Sequence, residues 1–225
     1  MARAEAARIR GDLEGLEAVR AELAAALERP DANKKALHYD TAYVLWRCLQ
    51  RLHDVEDLSE PQQKYLEQAR AHIDALIALE PDSLEAKILN AAITGVEADM
   101  SLFSRMRLGR ISYTGTKENA ERAPNNPRTR LQWGIVLFYT PKWFGGGSDP
   151  AIEQLEVAHA NFEMQRADAP WPNWGAHEAQ VWLGMALARG GRPEEARVIY
   201  QRVLEREPAF EWAKQRLVSL NAAGQ

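Results

Sequence analysis

The chain is poor in the residues and segments that mark several large protein classes. It has one cysteine, Cys48, among 225 residues, which excludes an intrachain disulfide framework. No apolar run approaches the ~18 residues of a transmembrane helix, so we expect no membrane span. Residues 1–10 mix alanine with charge and lack an apolar core, so we expect no signal peptide in this chain.

Excess positive charge and catalytic signatures are lacking as well. The formal net charge is −4 and the pI is about 5.8, which argues against a nucleic-acid partner. Cys48 lies beside Trp46 and Leu49 in a helical pattern, which favours a buried small residue over a nucleophile. The histidines form no His-x-x-x-His pair and predict no metal site; they are His38, His53, His72, His159 and His177. We therefore expect no enzymatic activity and no cofactor.

The chain does contain several helical patterns that end at prolines. Hydrophobic residues make up 46% of the sequence, which is enough for a core. Five prolines follow such patterns at spacings of 51, 43, 46 and 38 residues; they are Pro30, Pro81, Pro124, Pro170 and Pro208. No segment alternates apolar and polar residues between turns, so no sheet is expected. The pattern predicts an all-α stack of helical hairpins.

The predicted organisation is a single domain, 1–225, of about four hairpins with a capping helix at each end. The N-terminal helix covers 1–30, the hairpins cover 37–81, 83–124, 127–168 and 176–208, and the C-terminal helix covers 209–222. Gly109 and Gly115 interrupt the apolar spacing of residues 100–123, so we expect a broken helix or a loop with a short helix there.

A glycine-rich stretch, Gly145–Gly147, separates two helical patterns. A phosphate-binding loop needs a strand before the glycines and a lysine with a hydroxyl residue after them, and both are missing. Asp149 suits an N-cap and Pro150 suits the first helical position. The stretch is therefore predicted to be an extended turn between two helices.

The last hairpin resembles the tetratricopeptide repeat (TPR) family. The residues that carry the resemblance are Leu183, Gly184, Leu187, Ala196, Tyr200, Val203 and Pro208. The same frame after Pro124 places Trp133–Gly134 at the Leu–Gly position. Ala151, Leu155 and Ala158 then take the second-helix positions, provided that about five residues are inserted in the turn. The resemblance implies a TPR-like α-solenoid.

A narrower resemblance is to uncharacterised bacterial TPR proteins that are commonly exported. It rests on the strings Pro124–Arg128, Phe144–Gly147, Pro172–Gly175 and Trp182–Gly184. It favours a periplasmic or exported protein. A looser similarity over Phe144–Phe162 is to the helical-repeat accessory component of TRAP transporters, which implies an apolar ligand.

The TPR resemblance also implies a binding surface on the first helix of each hairpin. The mostly apolar groove positions are Ile88, Arg128, Leu131, Ile135, Phe138, Val181 and Met185. An aromatic lip from two loops would comprise Tyr139, Trp143, Phe144, Trp171 and Trp174. The implied function is a scaffold that binds a protein or peptide. Three alternatives stay open: a carrier for an apolar small molecule, a groove filled by the chain's own helix, and loop aromatics that only pack on one another.

Overall fold

The computed structural model describes residues 1–53, 60–100, 104–165 and 172–223. Throughout these ranges the regular structure is helical, without a strand, and successive helices pack as hairpins. The prediction of an all-α stack of helical hairpins is confirmed. The chain divides into two compact units, Met1–Gly115 and Thr116–Gln225. In a repeat protein most contacts join neighbouring repeats, so one domain can also divide into two units by its contacts. The single-domain organisation therefore stays a prediction.

Among its described residues, unit 1 contains five helices and most of a sixth. They are α1 (Ala2–Ile9), α2 (Leu13–Leu27), α3 (Lys34–His53), α4 (Glu60–Leu79), α5 (Leu84–Met100) and α6 (Arg105–Arg122). Helix α3 packs against both α2 and α4, and α4 packs against α5. Leu16, Leu49 and Ile73 are fully buried between these helices. Unit 1 therefore has its own apolar core.

Two helices replace the single N-terminal helix that the sequence predicts over 1–30. Helix α1 ends at Ile9, and Gly11 takes a left-handed φ of 64°. The Asp12 carboxylate then accepts a hydrogen bond from the Gly15 amide at 2.9 Å and caps α2. The prediction was wrong because an apolar stripe continues across a turn when both helices face the same core.

Helix α6 runs unbroken through both glycines, so the predicted interruption near Gly109 and Gly115 is also wrong. A glycine inside a helix costs about 1 kcal/mol relative to alanine but does not end the helix. Leu108, Ser112 and Thr116 recur every four residues on the buried face. The Ser112 hydroxyl donates to the Ala91 carbonyl at 3.1 Å, which ties this helix to α5.

Where it is described, unit 2 contains the end of α6 and five further helices. They are α7 (Pro127–Tyr139), α8 (Ser148–Met164), α9 (Ala176–Arg189), α10 (Pro193–Arg206) and α11 (Glu211–Ala223). From α7 onward each packs against the next, and a short 3-10 turn, Lys142–Phe144, lies between α7 and α8. The Asn126 side chain caps α7 by accepting from the Arg128 amide at 2.9 Å, with Pro127 at the first helical position.

Both hairpins of unit 2 cross at a glycine that faces a large side chain. A Cβ on Gly184 would lie 2.4 Å from Tyr200 Cε1, and a Cβ on Gly134 would lie 2.6 Å from Leu155 Cγ. Gly184 precedes Tyr200 by 16 residues and Gly134 precedes Leu155 by 21. The two hairpins therefore have the same packing, and the turn of the first is five residues longer.

Candidate functional site

The long turn between α7 and α8 is folded back onto the end of α7. The Gly145 amide donates to the Lys142 carbonyl at 2.9 Å, and the Gly146 amide donates to the Pro141 carbonyl at 3.2 Å. The Gly147 amide donates to the Leu137 carbonyl in α7 at 2.9 Å. All three glycine amides thus point at carbonyls within the protein rather than at a ligand anion. This geometry is that of an inter-helix turn.

Helix α8 starts two residues earlier than the sequence suggests. Gly147, with φ 111°, is the N-cap, so Ser148 is the first helical residue. Asp149 and Pro150 therefore lie within the first turn, and the prediction of Asp149 as the cap is wrong. The physical reason is the amide of Gly147, whose bond to α7 fixes the backbone at this position.

The predicted aromatic lip separates into exposed and buried residues. Trp143 is 80% exposed, Phe144 is 68% exposed and Tyr139 is 63% exposed. Trp174 is fully buried, with the Arg128 guanidinium 5.9 Å from its ring centroid, so it presents no surface to a ligand. Trp171 lies outside the described residues. Trp143 contacts Phe144, at 6.2 Å between ring centroids, and their exposure rules out a buried cluster of these two rings.

The predicted groove positions are mostly covered. Ile88 in unit 1 and Arg128, Leu131, Phe138 and Val181 in unit 2 are all buried. Ile135 and Met185 are half-buried. Leu131 faces the backbone at Gly175, and Phe138 is covered by Trp182 and by the Arg189 guanidinium, 4.7 Å from its ring centroid. In this structure the groove positions thus offer a ligand surface mainly at Ile135 and Met185.

Three aromatic rings from three different helices form a continuous surface. Tyr139 of α7 contacts Trp182 of α9 at 5.8 Å between centroids, and Trp182 contacts Trp212 of α11 at 5.4 Å. Both pairs meet edge to face, an arrangement that aromatic rings favour. Trp182 and Trp212 are each half-buried. We call Tyr139, Trp182 and Trp212 the aromatic face.

Sequence reasoning missed two members of the aromatic face. It used Trp182 only as part of a resemblance and did not single out Trp212. The available signal was the recurrence of large aromatic residues on α7, α9 and α11 at separations of 43 and 30 residues, near one repeat length. In a stack of hairpins such recurrence places side chains side by side.

The other candidates raised by the sequence were a reactive Cys48 and a metal cluster. Burial raises the pKa of the Cys48 thiol to about 12, so it stays protonated and unreactive at neutral pH. The structure, where it is described, holds no group of three or more His, Cys, Asp or Glu residues placed to bind a metal ion. None of the helices in those ranges is long and apolar enough to cross a membrane.

A shallow cleft of about 320 Å³ lies between α2 and α4. Four of its lining residues are charged, and on the α2 side the Arg20 guanidinium donates to the Glu17 carboxylate at 2.8 Å. Because these groups pair with each other, the cleft is not an apolar ligand cavity.

The repeat packing of unit 2 has a counterpart among known families. Residues 177–220 match the tetratricopeptide repeat family model. This TPR match covers α9, α10 and most of α11. No curated protein matches the sequence of the chain.

Solved structures with the same fold confirm the predicted TPR-like helical-repeat architecture. A thermophilic TPR protein from Thermus thermophilus has a TM-score of 0.61 at 17% identity, over 93% of this chain and 92% of its own. The HusA haemophore from Porphyromonas gingivalis has a TM-score of 0.63 at 20% identity, over 83% of this chain and 93% of its own. At these identities the likeness concerns the fold.

Proposed function

We propose that the protein is a non-enzymatic binding scaffold that recognises an apolar segment of a protein or peptide through unit 2. The contact surface would be the aromatic face together with Trp143 and Phe144 on the long turn. The observation that carries the proposal is the continuous contact of Tyr139, Trp182 and Trp212, with Tyr139 63% exposed.

The composition of this surface supports binding rather than core packing. Tryptophan and tyrosine are the residues most enriched among those that dominate binding energy, because they bury a large apolar area and keep one polar group. Trp143 at 80% exposed leaves most of an indole ring in water, which is costly unless a partner covers it. The TPR fold itself suggests a protein-interaction scaffold.

The rigidity of the turn also supports this function. Two backbone hydrogen bonds close the turn on itself, from Gly145 and Gly146, and a third joins the Gly147 amide to the Leu137 carbonyl of α7. The Thr140 hydroxyl also donates to the Val136 carbonyl at 2.8 Å. A preorganised turn loses less conformational entropy on binding, so more of the contact energy of Trp143 and Phe144 appears as affinity.

The alternative function is a carrier for an apolar small molecule. Such a carrier needs an enclosed cavity of a few hundred Å³ with an apolar lining. The groove positions that would line it are mostly buried against the protein, and the cleft between α2 and α4 is charged. A haemophore shares the fold, but a likeness at 20% identity does not transfer its ligand. The geometry therefore favours the scaffold.

Matched alanine variants test the proposal. Tyr139→Ala and Trp143→Ala remove exposed rings, and Val198→Ala removes an exposed apolar side chain on α10 of the same unit. Partners would be captured by cross-linking and identified by mass spectrometry, and affinity for the purified partner then measured. We expect Trp143→Ala or Tyr139→Ala to weaken binding by roughly 2 kcal/mol, about 30-fold, with Val198→Ala unchanged.

Native mass spectrometry and organic extraction of the purified protein separate the two functions. A co-purifying apolar molecule that is lost in Tyr139→Ala would support the carrier. A partner bound equally by all three variants would contradict the aromatic surface as the site.

A further inference from the structure

Two histidines in unit 1 converge on one point although they are 34 residues apart in the sequence. His38 lies on α3 and His72 lies on α4, and their Nδ1 atoms are 3.0 Å apart. The ring centroids are 5.2 Å apart with an angle of 48° between the planes. Neither side chain takes part in the proposed binding surface. The pair joins the two helices of a hairpin through ring nitrogens.

Both imidazoles are suited to donate a lone pair at neutral pH. Each side chain is half-buried. Burial lowers the pKa of both histidines, Lys34 lowers that of His38 further, and His38 lowers that of His72 further. Neutral imidazole is the form that binds metal ions. At neutral pH one Nδ1 carries a proton and donates to the other, which accepts.

The separation of the two nitrogens is short enough for both to bind one metal ion as adjacent ligands. With metal–nitrogen bonds of about 2.05 Å, a 3.0 Å separation corresponds to an angle of about 94° at the metal. Adjacent ligands at about 90° are characteristic of the tetragonal sites of Cu²⁺ and Ni²⁺.

We propose that His38 and His72 form a two-nitrogen site for a tetragonal divalent ion, Cu²⁺ above all, that links α3 to α4. Imidazole nitrogen suits this ion, and Cu²⁺ has the highest affinity of the first-row divalent series for a given set of ligands. Water completes the coordination. The ion is therefore exchangeable and does not hold the fold together.

Binding requires no net loss of protons. The ring that donates from Nδ1 in the free protein moves its proton to Nε2 through solvent, and both Nδ1 lone pairs then face the metal. Each ring must tilt to direct its lone pair off the line that joins the nitrogens, which half-buried side chains on adjacent helices can do. The positive charge of Lys34 repels the ion. The Glu80 carboxylate forms an ion pair with the Lys35 ammonium, at 3.9 Å.

Cu²⁺ titration of the full chain near pH 7.5 tests the site, with the metal alone as the probe. We expect one equivalent to bind with the electron paramagnetic resonance pattern of two nitrogen ligands and to raise the melting temperature. His38→Ala and His72→Ala should each weaken this binding at least about tenfold, because only one of the two imidazole ligands then remains. His72→Gln keeps a hydrogen-bonding side chain in place of the imidazole and gives the same loss if His72→Ala fails to fold.

The matched control is His159→Ala, which removes a half-buried helical histidine from unit 2 whose ring contacts Gln180. It should retain full Cu²⁺ binding. Zn²⁺ should bind more weakly than Cu²⁺ and Ni²⁺ in the wild type. Equal Cu²⁺ affinity in the wild type, His38→Ala and His72→Gln would overturn the proposal, as would a signal from a single nitrogen ligand.

Discussion

At the scale of single residues, the last hairpin of unit 2 depends on the close approach of Gly184 to Tyr200. Alanine at Gly184 places a methyl group 2.4 Å from Tyr200 Cε1, and Tyr200 is fully buried and cannot move aside. We expect Gly184→Ala to lower the free energy of unfolding by about 1–3 kcal/mol. Urea denaturation measures the change, and the loss should shrink when Tyr200→Ala is already present.

Gly109 provides the control for that substitution. It lies inside α6 with no atom within 4 Å of an added Cβ. Gly109→Ala should therefore stabilise the protein by roughly 0.5–1 kcal/mol through helix propensity. A similar loss of stability in both variants would show that the cost is unrelated to Tyr200.

The histidine pair makes a second prediction at this scale. Because burial lowers the pKa of His38 and His72 in the folded protein, the unfolded chain binds protons more readily. Their contribution to stability is complete above the unfolded pKa of about 6.5 and is lost as the pH falls below it. Denaturation at pH 7.5 and pH 5.5 should show a smaller drop for His72→Gln than for the wild type, measured without metal. An unchanged drop would assign the acid sensitivity to other groups.

At the scale of elements, the long turn depends on Gly146. A Cβ there would lie 2.2 Å from the Thr140 carbonyl oxygen, which is backbone at the end of α7. We expect Gly146→Ala to open the turn and cost about 1–3 kcal/mol, because the backbone cannot give way as a side chain does. Thermal unfolding measures the cost, and partner affinity reports the displacement of Trp143.

Gly145→Asn is the matched variant for the turn. Gly145 has a left-handed φ of 80° and open space around an added Cβ, a conformation that asparagine tolerates. It should leave partner affinity unchanged. If Gly145→Asn and Gly146→Ala weaken binding equally, the close contact with Thr140 is not what positions the turn.

Most helices could be predicted from the sequence, and the failures have identifiable causes. The spacing of Gly184 and Tyr200 predicted the last hairpin, because close helix packing restricts residue type at those positions. The break at Gly11 was missed because the apolar pattern continues across it. The continuity of α6 was missed because the low helix propensity of Gly109 and Gly115 is outweighed by packing on the buried face of the helix, which contains Ser112.

The candidate site was less predictable than the fold. Family positions placed Leu131 and Val181 in a groove, whereas the structure buries them. Trp212 joins the aromatic face through contacts between helices, and the sequence does not encode such contacts locally. The His38–His72 contact is equally non-local, because helix spacing reveals ligand pairs on one helix but not across two.

At the scale of the whole molecule, the two units carry different intrinsic probes. The single cysteine, Cys48, is buried in unit 1, and six of the seven tryptophans lie between Thr116 and Gln225. Thiol labelling therefore reports the opening of unit 1, whereas tryptophan fluorescence reports mainly unit 2. Each unit can be followed in the full chain.

We expect a core substitution to act mainly on its own unit. Ile73→Ala, in the core of unit 1, should cost roughly 2–5 kcal/mol and speed Cys48 labelling at least about 30-fold. The urea midpoint from tryptophan fluorescence should change little. Leu155→Ala in unit 2 should instead lower the urea midpoint from tryptophan fluorescence and leave the rate of Cys48 labelling little changed. Parallel changes in both probes for both variants would instead indicate one cooperative unit.

The five extra residues between α7 and α8 also affect how the chain is recognised by sequence comparison. Gly134 and Leu155 pack as Gly184 and Tyr200 do, yet a profile with a fixed interval between the two positions cannot align both at once. The family match, residues 177–220, lies after this hairpin. Allowing a gap of five at the turn should extend the match back to α7. Homologues with turns of other lengths would be overlooked for the same reason.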